Sequence, residues 1–309
     1  MSIGRSSSIL NRALARAVRL DYVDFARSLW LRIETLHAVA YFGEETNEAA
    51  KLLNLPGFWS SYFGFRAAPM GPVGSGLVEA VFFNFAPSFV RRWVPVVWTH
   101  ASPELLIAAR SLAAARTLAR LSPEITEIAA RSNVALEEAV ERCSSAGRPL
   151  FAANRVLPLP DDPVARLWQL CTSLREHRGD GHVAVLTAHG LDGIEAHVLI
   201  ALEQASSAED LQKNRGWTAA DWSHAVARCA DRGWVESSGV LSPAGQSLRQ
   251  DIETATDRLA NQPFDVLDPS ARDTILATLT PAAVAVSRSG VIRYPNPIGL
   301  PAIHEHLDP

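Results

Sequence analysis

Lysine is almost missing from this 309-residue chain: Lys51 and Lys213 are its only two, and arginine carries the rest of the positive charge. Acids outnumber Lys and Arg 33 to 29, so the chain lacks the cationic excess that would draw it to nucleic acid or an anionic membrane. The arginine bias goes with abundant alanine and reads as a coding bias with little chemical meaning. Cysteine is sparse as well. Cys143, Cys171 and Cys229 are far apart, odd in number and without C-x-x-C spacing, which argues against a disulfide framework or a thiolate zinc site and fits a reducing cytoplasm. No stretch reaches the roughly 18 apolar residues of a membrane span. Also absent are the G-x-x-x-x-G-K-[ST] phosphate loop, a G-x-G-x-x-G after a strand, the G-x-S-x-G elbow and H-E-x-x-H. Nucleotide-dependent, hydride-transfer and serine-hydrolase chemistry therefore have no footing. Arg5, Arg12, Arg16 and Arg19 precede any acid, but no apolar stretch with a cleavage site accompanies them, so they read as a basic helix start.

What the chain does have is helical periodicity. Leu10, Leu14 and Val18, then Phe25, Leu29, Ile33 and Leu36, recur at three- and four-residue steps, and Glu44 to Leu53 reads as a further helix. Phe58, Trp59, Tyr62, Phe63 and Phe65 then crowd into eight residues, followed by a Pro/Gly break at 67–74 and an apolar helix from Val78 to Phe85. Ser102-Pro103-Glu104 and Ser122-Pro123-Glu124 repeat one helix-start signal, a serine cap with proline at the first helical position. The sequence 158–163, Pro-Leu-Pro-Asp-Asp-Pro, has the composition of a linker.

Beyond it, helices are expected over Val164 to Glu176, Leu191 to Gln204 and Thr218 to Asp231, the last opened by a capping box and stopped at Gly233. Trp234 to Ser237 and Val240-Leu241 read as the strands of a short hairpin turning at Ser238-Gly239, and Ser242-Pro243 opens another helix. Helix, helix, two-stranded wing, helix is the winged-helix order. The expected fold is mainly α: a helical N-terminal domain over 1–157, a winged-helix domain over 158–265, and a C-terminal helix with an extended tail over 266–309. That tail helix is expected to break at Pro281. The run from Thr218 to Ala260 resembles the second half of MarR-type winged helices. The segments FWSSYFGFRAAPMGPVG, FFNFAPSFV and LREHRGDGHVAVLTAHGLDGIEAHVL extend the likeness, so that most of Ile33 to Ala260 resembles an actinobacterial helix-turn-helix family of unknown function. The resemblance implies a fold and no activity.

A winged helix that reads DNA needs phosphate-neutralising side chains on its recognition element. Residues 161–260 hold 15 acids against nine Arg and Lys, a net of −6, and the expected recognition helix sets Arg228 and Arg232 against Asp221 and Asp231. DNA binding is therefore disfavoured. Polar chemistry concentrates in Arg175-Glu176-His177-Arg178-Gly179-Asp180-Gly181-His182. As a site, it offers His182 or His177 as acid or base, Asp180 or Glu176 to orient it, and Arg175 or Arg178 to hold an anionic group. As plain structure, it fits a turn between two helices with glycine caps. Metal ligation is a weaker reading, since His177 and His182 lack helical metal spacing and would need Glu195 or His197 to complete a site, and no cofactor is expected. Tyr62, Arg66 and Asn84 would line a pocket walled by the aromatic block, or form part of the core, and His37 is a further candidate. These observations lead to a cytoplasmic, homodimeric small-molecule-binding protein on a winged-helix scaffold, leaning to cofactor-independent acid/base catalysis in specialised metabolism. The alternative is a ligand-responsive winged-helix transcription regulator.

Overall fold

The computed structural model describes residues 25–204, 207–294, 296 and 300–307. The periodic stretch before Phe25 lies outside the described residues. Helix α1 spans 25–42, and Phe25, Leu29, Ile33 and Leu36 are buried along one of its faces, as their spacing requires. It is followed by α2 (Glu44–Leu52), α3 (Gly57–Ala67, the aromatic block), α4 (Ser75–Val81), α5 (Pro87–Trp93) and α6 (Pro103–Leu121). Ser102 caps α6 by accepting from the Leu105 N–H. Its sequence twin behaves differently. The next helix, α7 (Ile125–Arg142), starts two residues after Pro123, and Ser122 contributes its backbone carbonyl to the Ile125 N–H in place of a side-chain cap. Then come α8 (Pro149–Arg155) and α9 (Pro163–Ala188).

Helix α9 departs most from the sequence reading. The residues expected to turn, 175–182, lie inside one 26-residue helix. Its start is legible: Asp162 caps the Ala165 N–H at 2.7 Å with Pro163 at the first helical position. Interior glycines each cost a helix roughly 1 kcal/mol, but packing on several sides outweighs this. Leu167, Trp168, Leu170, Cys171 and Leu174 are buried in the larger apolar cluster with α1, α3, α6 and α7, whereas Val185 and Leu186 are buried in a second cluster. Gly181 also makes room for Arg148: a Cβ there would sit 2.6 Å from Arg148 Nη1, which donates to the His177 carbonyl.

The second cluster is built by α10 (Gly193–Gln204), α11 (Ala208–Arg215), α12 (Ala219–Asp231) and α13 (Pro243–Asn261). Helices α11 and α12 form a helix-turn-helix: Gly216 at φ 75° ends the first, and the reciprocal Thr218–Asp221 capping box starts the second. The expected two-stranded wing is corrected. Among the described residues there is no strand, and 235–241 closes on a single antiparallel bridge, Val235 to Leu241, with the Glu236 N–H donating to Val240 O at 2.9 Å. Outward, the pairing stops after the Ser242 N–H donates to Trp234 O at 3.0 Å, because Ser242 is already the cap of α13.

Helix α14 (Pro269–Arg288) runs through Pro281, where a break was expected. Leu279, Ala282, Ala283 and Val286 are completely buried around it, and burial of that size offsets the ~3 kcal/mol cost of an interior proline. The tail then packs on its own body through buried Ile292, Leu300 and Ile303, the last opening the short helix α15 (Ile303–Leu307).

Candidate functional site

A cleft of about 1620 Å³ runs between α1, α3 and α9 on one side and α10, α11 and α13 on the other, with the tail at its rim. Close backbone contact fixes the two walls at one end. A Cβ on Gly193 would lie 2.0 Å from Phe83 O, and one on Gly216 would lie 2.4 Å from the Phe89 Cβ. The Ala86 N–H donates to Arg215 O at 2.9 Å, and Trp217 Nε1 donates to Asn84 O at 3.0 Å. The aromatic segment 82–89 is thus the seat of the helix-turn-helix half.

The cleft floor is a chain of buried charges. Glu176, 1% exposed at its side chain, takes a two-pronged hydrogen bond from Arg66, with Nε at 2.9 Å and Nη2 at 3.1 Å. Arg175 Nη1 lies 3.0 Å from the same carboxylate, and Arg175 Nε donates to Glu34 at 2.9 Å. Burial pushes the Glu176 carboxyl up, but Arg175 and Arg66 outweigh it and hold the group well below its usual range. The Arg66 guanidinium stacks 4.3 Å from the Phe82 ring centre and reaches Tyr62 Oη.

A second ionic cluster lies along the cleft: Arg178 donates to Asp257 at 2.8 Å, Arg27 bridges Asp257 and Glu253, and Arg249 meets Glu203 and Glu253. Beside it, His182 Nδ1 is 2.9 Å from Thr256 Oγ1, whose proton goes to Ile252 O at 2.7 Å. That hydrogen bond assigns the proton on His182 to Nδ1 and leaves Nε2 as the lone-pair nitrogen. Burial holds this imidazole down at about 4, against the pull of Glu253, so at neutral pH it is a base.

The eight-residue constellation therefore divides over two helix faces. Arg175, Arg178, Gly179 and His182 face the cleft, and Glu176 lies beneath them. His177 and Asp180 point the other way, toward α8. His177 packs edge-on against Phe151 at 5.0 Å, with burial and Arg148 lowering it to about 3. Asp180 accepts the Phe151 N–H at 2.9 Å in the first turn of α8, and burial raises its carboxyl to about 6. Tyr62, Arg66 and Asn84 line the cleft, although Asn84 sits in the turn after α4. His37 is core: its Nδ1 meets Thr172 at 2.9 Å, its Nε2 meets Tyr41 Oη at 2.8 Å, and burial depresses it strongly. No three His, Cys, Asp or Glu among the described residues converge as a metal site.

Sequence reasoning missed Glu34, Arg215 and Arg249, and set His197 only as a possible metal ligand. One signal was available: Arg27, Trp30, Glu34, His37 and Tyr41 repeat at three- and four-residue steps, a polar stripe beside the apolar face of α1. The others are brought in by tertiary packing.

The outer face of α12 is the other place to look for function. Its Arg228 is committed to Glu195 at 2.9 Å and Asp192 at 2.6 Å. Arg232 donates to Gly190 O and His189 O and covers the Trp234 ring at 3.6 Å. Besides Arg228, the exposed residues of α12 are Ala219, Ala220, Asp221, Ser223, His224, Ala227, Ala230 and Asp231.

No single helix among the described residues is long and apolar enough to cross a membrane; α9 and α10 pass such a test only together, bent by 99°. No curated protein and no solved structure matches the chain. A family model described as a helix-turn-helix family matches residues 26–293, which take in both walls of the cleft as well as α11 and α12. By that match over most of its length, the chain belongs to a helix-turn-helix family.

Proposed function

We propose that this helix-turn-helix family member binds a small organic molecule in the cleft, with the helix-turn-helix half serving as one wall of the binding site. The carrying observation is the cleft itself, where buried arginines from both halves converge with the aromatic rings of α1, α3 and the 82–85 segment on one volume. Concave sites with an apolar lining and a few convergent polar groups are the usual places for small ligands. Within this reading His182 is the base candidate, because its Nε2 lone pair has no partner among the described residues and stays unprotonated at pH 7. His177 and Asp180 serve α8 in this reading.

Thermal-shift screening of the full chain against aromatic carboxylates, phosphates and neutral aromatics tests it. At least one compound is expected to raise the melting temperature saturably, and His182→Ala to change that response more than His177→Ala does. A panel without a single stabiliser would count against the cleft.

Family membership and the α11–Gly216–α12 geometry favour a second reading, a ligand-responsive DNA-binding regulator. Duplex binding by that route would weaken steeply with salt. The ion pairs of Arg228 and Arg232 weigh against it, and fluorescence anisotropy with duplexes from the chain's own promoter is expected to stay flat at low salt. A salt-sensitive isotherm would establish the regulator reading instead.

A further inference from the structure

His197, on the inner side of α10, is 6% exposed and lines the cleft, yet its Nε2 is shielded from solvent and has no hydrogen-bond partner among the described residues. Arg175 Nη1 is also buried without a hydrogen bond, although it lies 3.0 Å from Glu176 Oε1. Buried polar atoms are almost always satisfied, so two such atoms on opposite walls of one cleft point to something that completes both. Arg215, at the end of α11, brings a third guanidinium. It stacks 4.6 Å from the Phe85 ring centre, and burial lowers it, with Arg66 and Arg175 repelling it across the cleft.

We propose that the inner end of the cleft is an oxyanion subsite, in which His197, Arg215 and Arg175 receive the carboxylate or phosphate head of the ligand. The inference rests on the cleft being the ligand site. Arg66 and Arg175 repel the Arg215 charge, so an anion placed among the three guanidiniums relieves that repulsion. Guanidinium forks match the planar oxygens of a carboxylate or the face of a phosphate. His197 needs no positive charge to take part. Burial and Arg215 lower it to about 3, and a neutral imidazole protonated at Nε2 donates to the anion. The Phe82 and Phe85 rings beside these groups suit an apolar body behind the charged head. The volume greatly exceeds one bare anion, so the anion is the head of a larger molecule.

Imidazole NMR on the full-length, histidine-labelled protein tests the subsite. Sodium benzoate, inorganic phosphate, neutral benzyl alcohol and sodium chloride at matched ionic strength are the probes. The His197 signal, assigned by its loss in His197→Gln, is expected to move saturably with benzoate or phosphate and not with chloride. His197→Gln is expected to weaken that anion roughly tenfold, as read from the Trp30 indole. A stronger response to benzoate assigns a carboxylate ligand, and a stronger response to phosphate assigns a phosphoryl one. If benzyl alcohol moves Trp30 while His197 ignores both anions, the subsite is overturned and the cleft reading stands. If neither reporter moves with any probe, the cleft reading falls with it.

Discussion

At the scale of single residues, the cleft depends on which way burial moves each titratable group. Burial holds the imidazoles of His177, His182 and His197 at about 3, 4 and 3. Below the ordinary histidine value of about 6.5, the unfolded chain takes up protons that these folded imidazoles refuse, so stability falls as pH drops toward 4. Asp180 acts in the opposite sense. Its folded carboxyl is raised to about 6 from 3.8, so the folded state takes its proton first and gains stability as pH falls between those values. Asp180→Asn keeps an oxygen for the Phe151 N–H and removes the buried charge. Its urea midpoint is expected to exceed the parent's at pH 8, with the gap narrowing at pH 5. An unchanged gap across that range would show that Asp180 is not a shifted buried carboxyl.

At the scale of elements, α9 shows what could be read from sequence and what could not. Local signals sufficed where local chemistry decides: the caps at Ser102, Thr218 and Ser242 and the αL glycine at 233 stand where spacing placed them, whereas α11 and its αL stop at Gly216 carried no signal that was read. The cap read at Ser122 failed because the helix there starts later, at Ile125. Gly179-Asp180-Gly181 looks like a turn because helix propensity is a local quantity, whereas the forces that keep α9 continuous come from residues distant in sequence, Arg148 and Phe151 among them. Pro281 misleads for the same reason. The charged run before the apolar Val183 was legible as a cluster; its division into a cleft face and an α8 face was not, since that needs a helix and its phase. The two glycines separate these influences experimentally. A Cβ at Gly179 meets only Glu176 Oε2 at 3.6 Å, so Gly179→Ala is expected to stabilise the protein by about 0.5–1 kcal/mol through helix propensity. Gly181→Ala meets Arg148 at 2.6 Å and is expected to destabilise it by about 1–3 kcal/mol. Chemical denaturation of both variants measures the difference, and equal effects would contradict the packing account of α9.

At the scale of the whole molecule, the helix-turn-helix is seated on the aromatic segment 82–89 and joined to α1 and α9 by the ion pairs of Arg27 and Arg178 with Glu253 and Asp257. Arg228, on the second helix of this half, pairs with the Asp192 and Glu195 carboxylates of the same half. The cleft that the seating creates depends on contacts between residues more than 100 positions apart, which no local pattern reveals. The most direct measurement is a crystallographic soak of the full-length protein with a mixed set of aromatic carboxylates, phosphates and neutral aromatics. The expected result is density for an aromatic anion in the cleft, its apolar body against Phe82 or Phe85 and its oxygens near His197. Density on the outer face of α12 with none in the cleft would contradict the account.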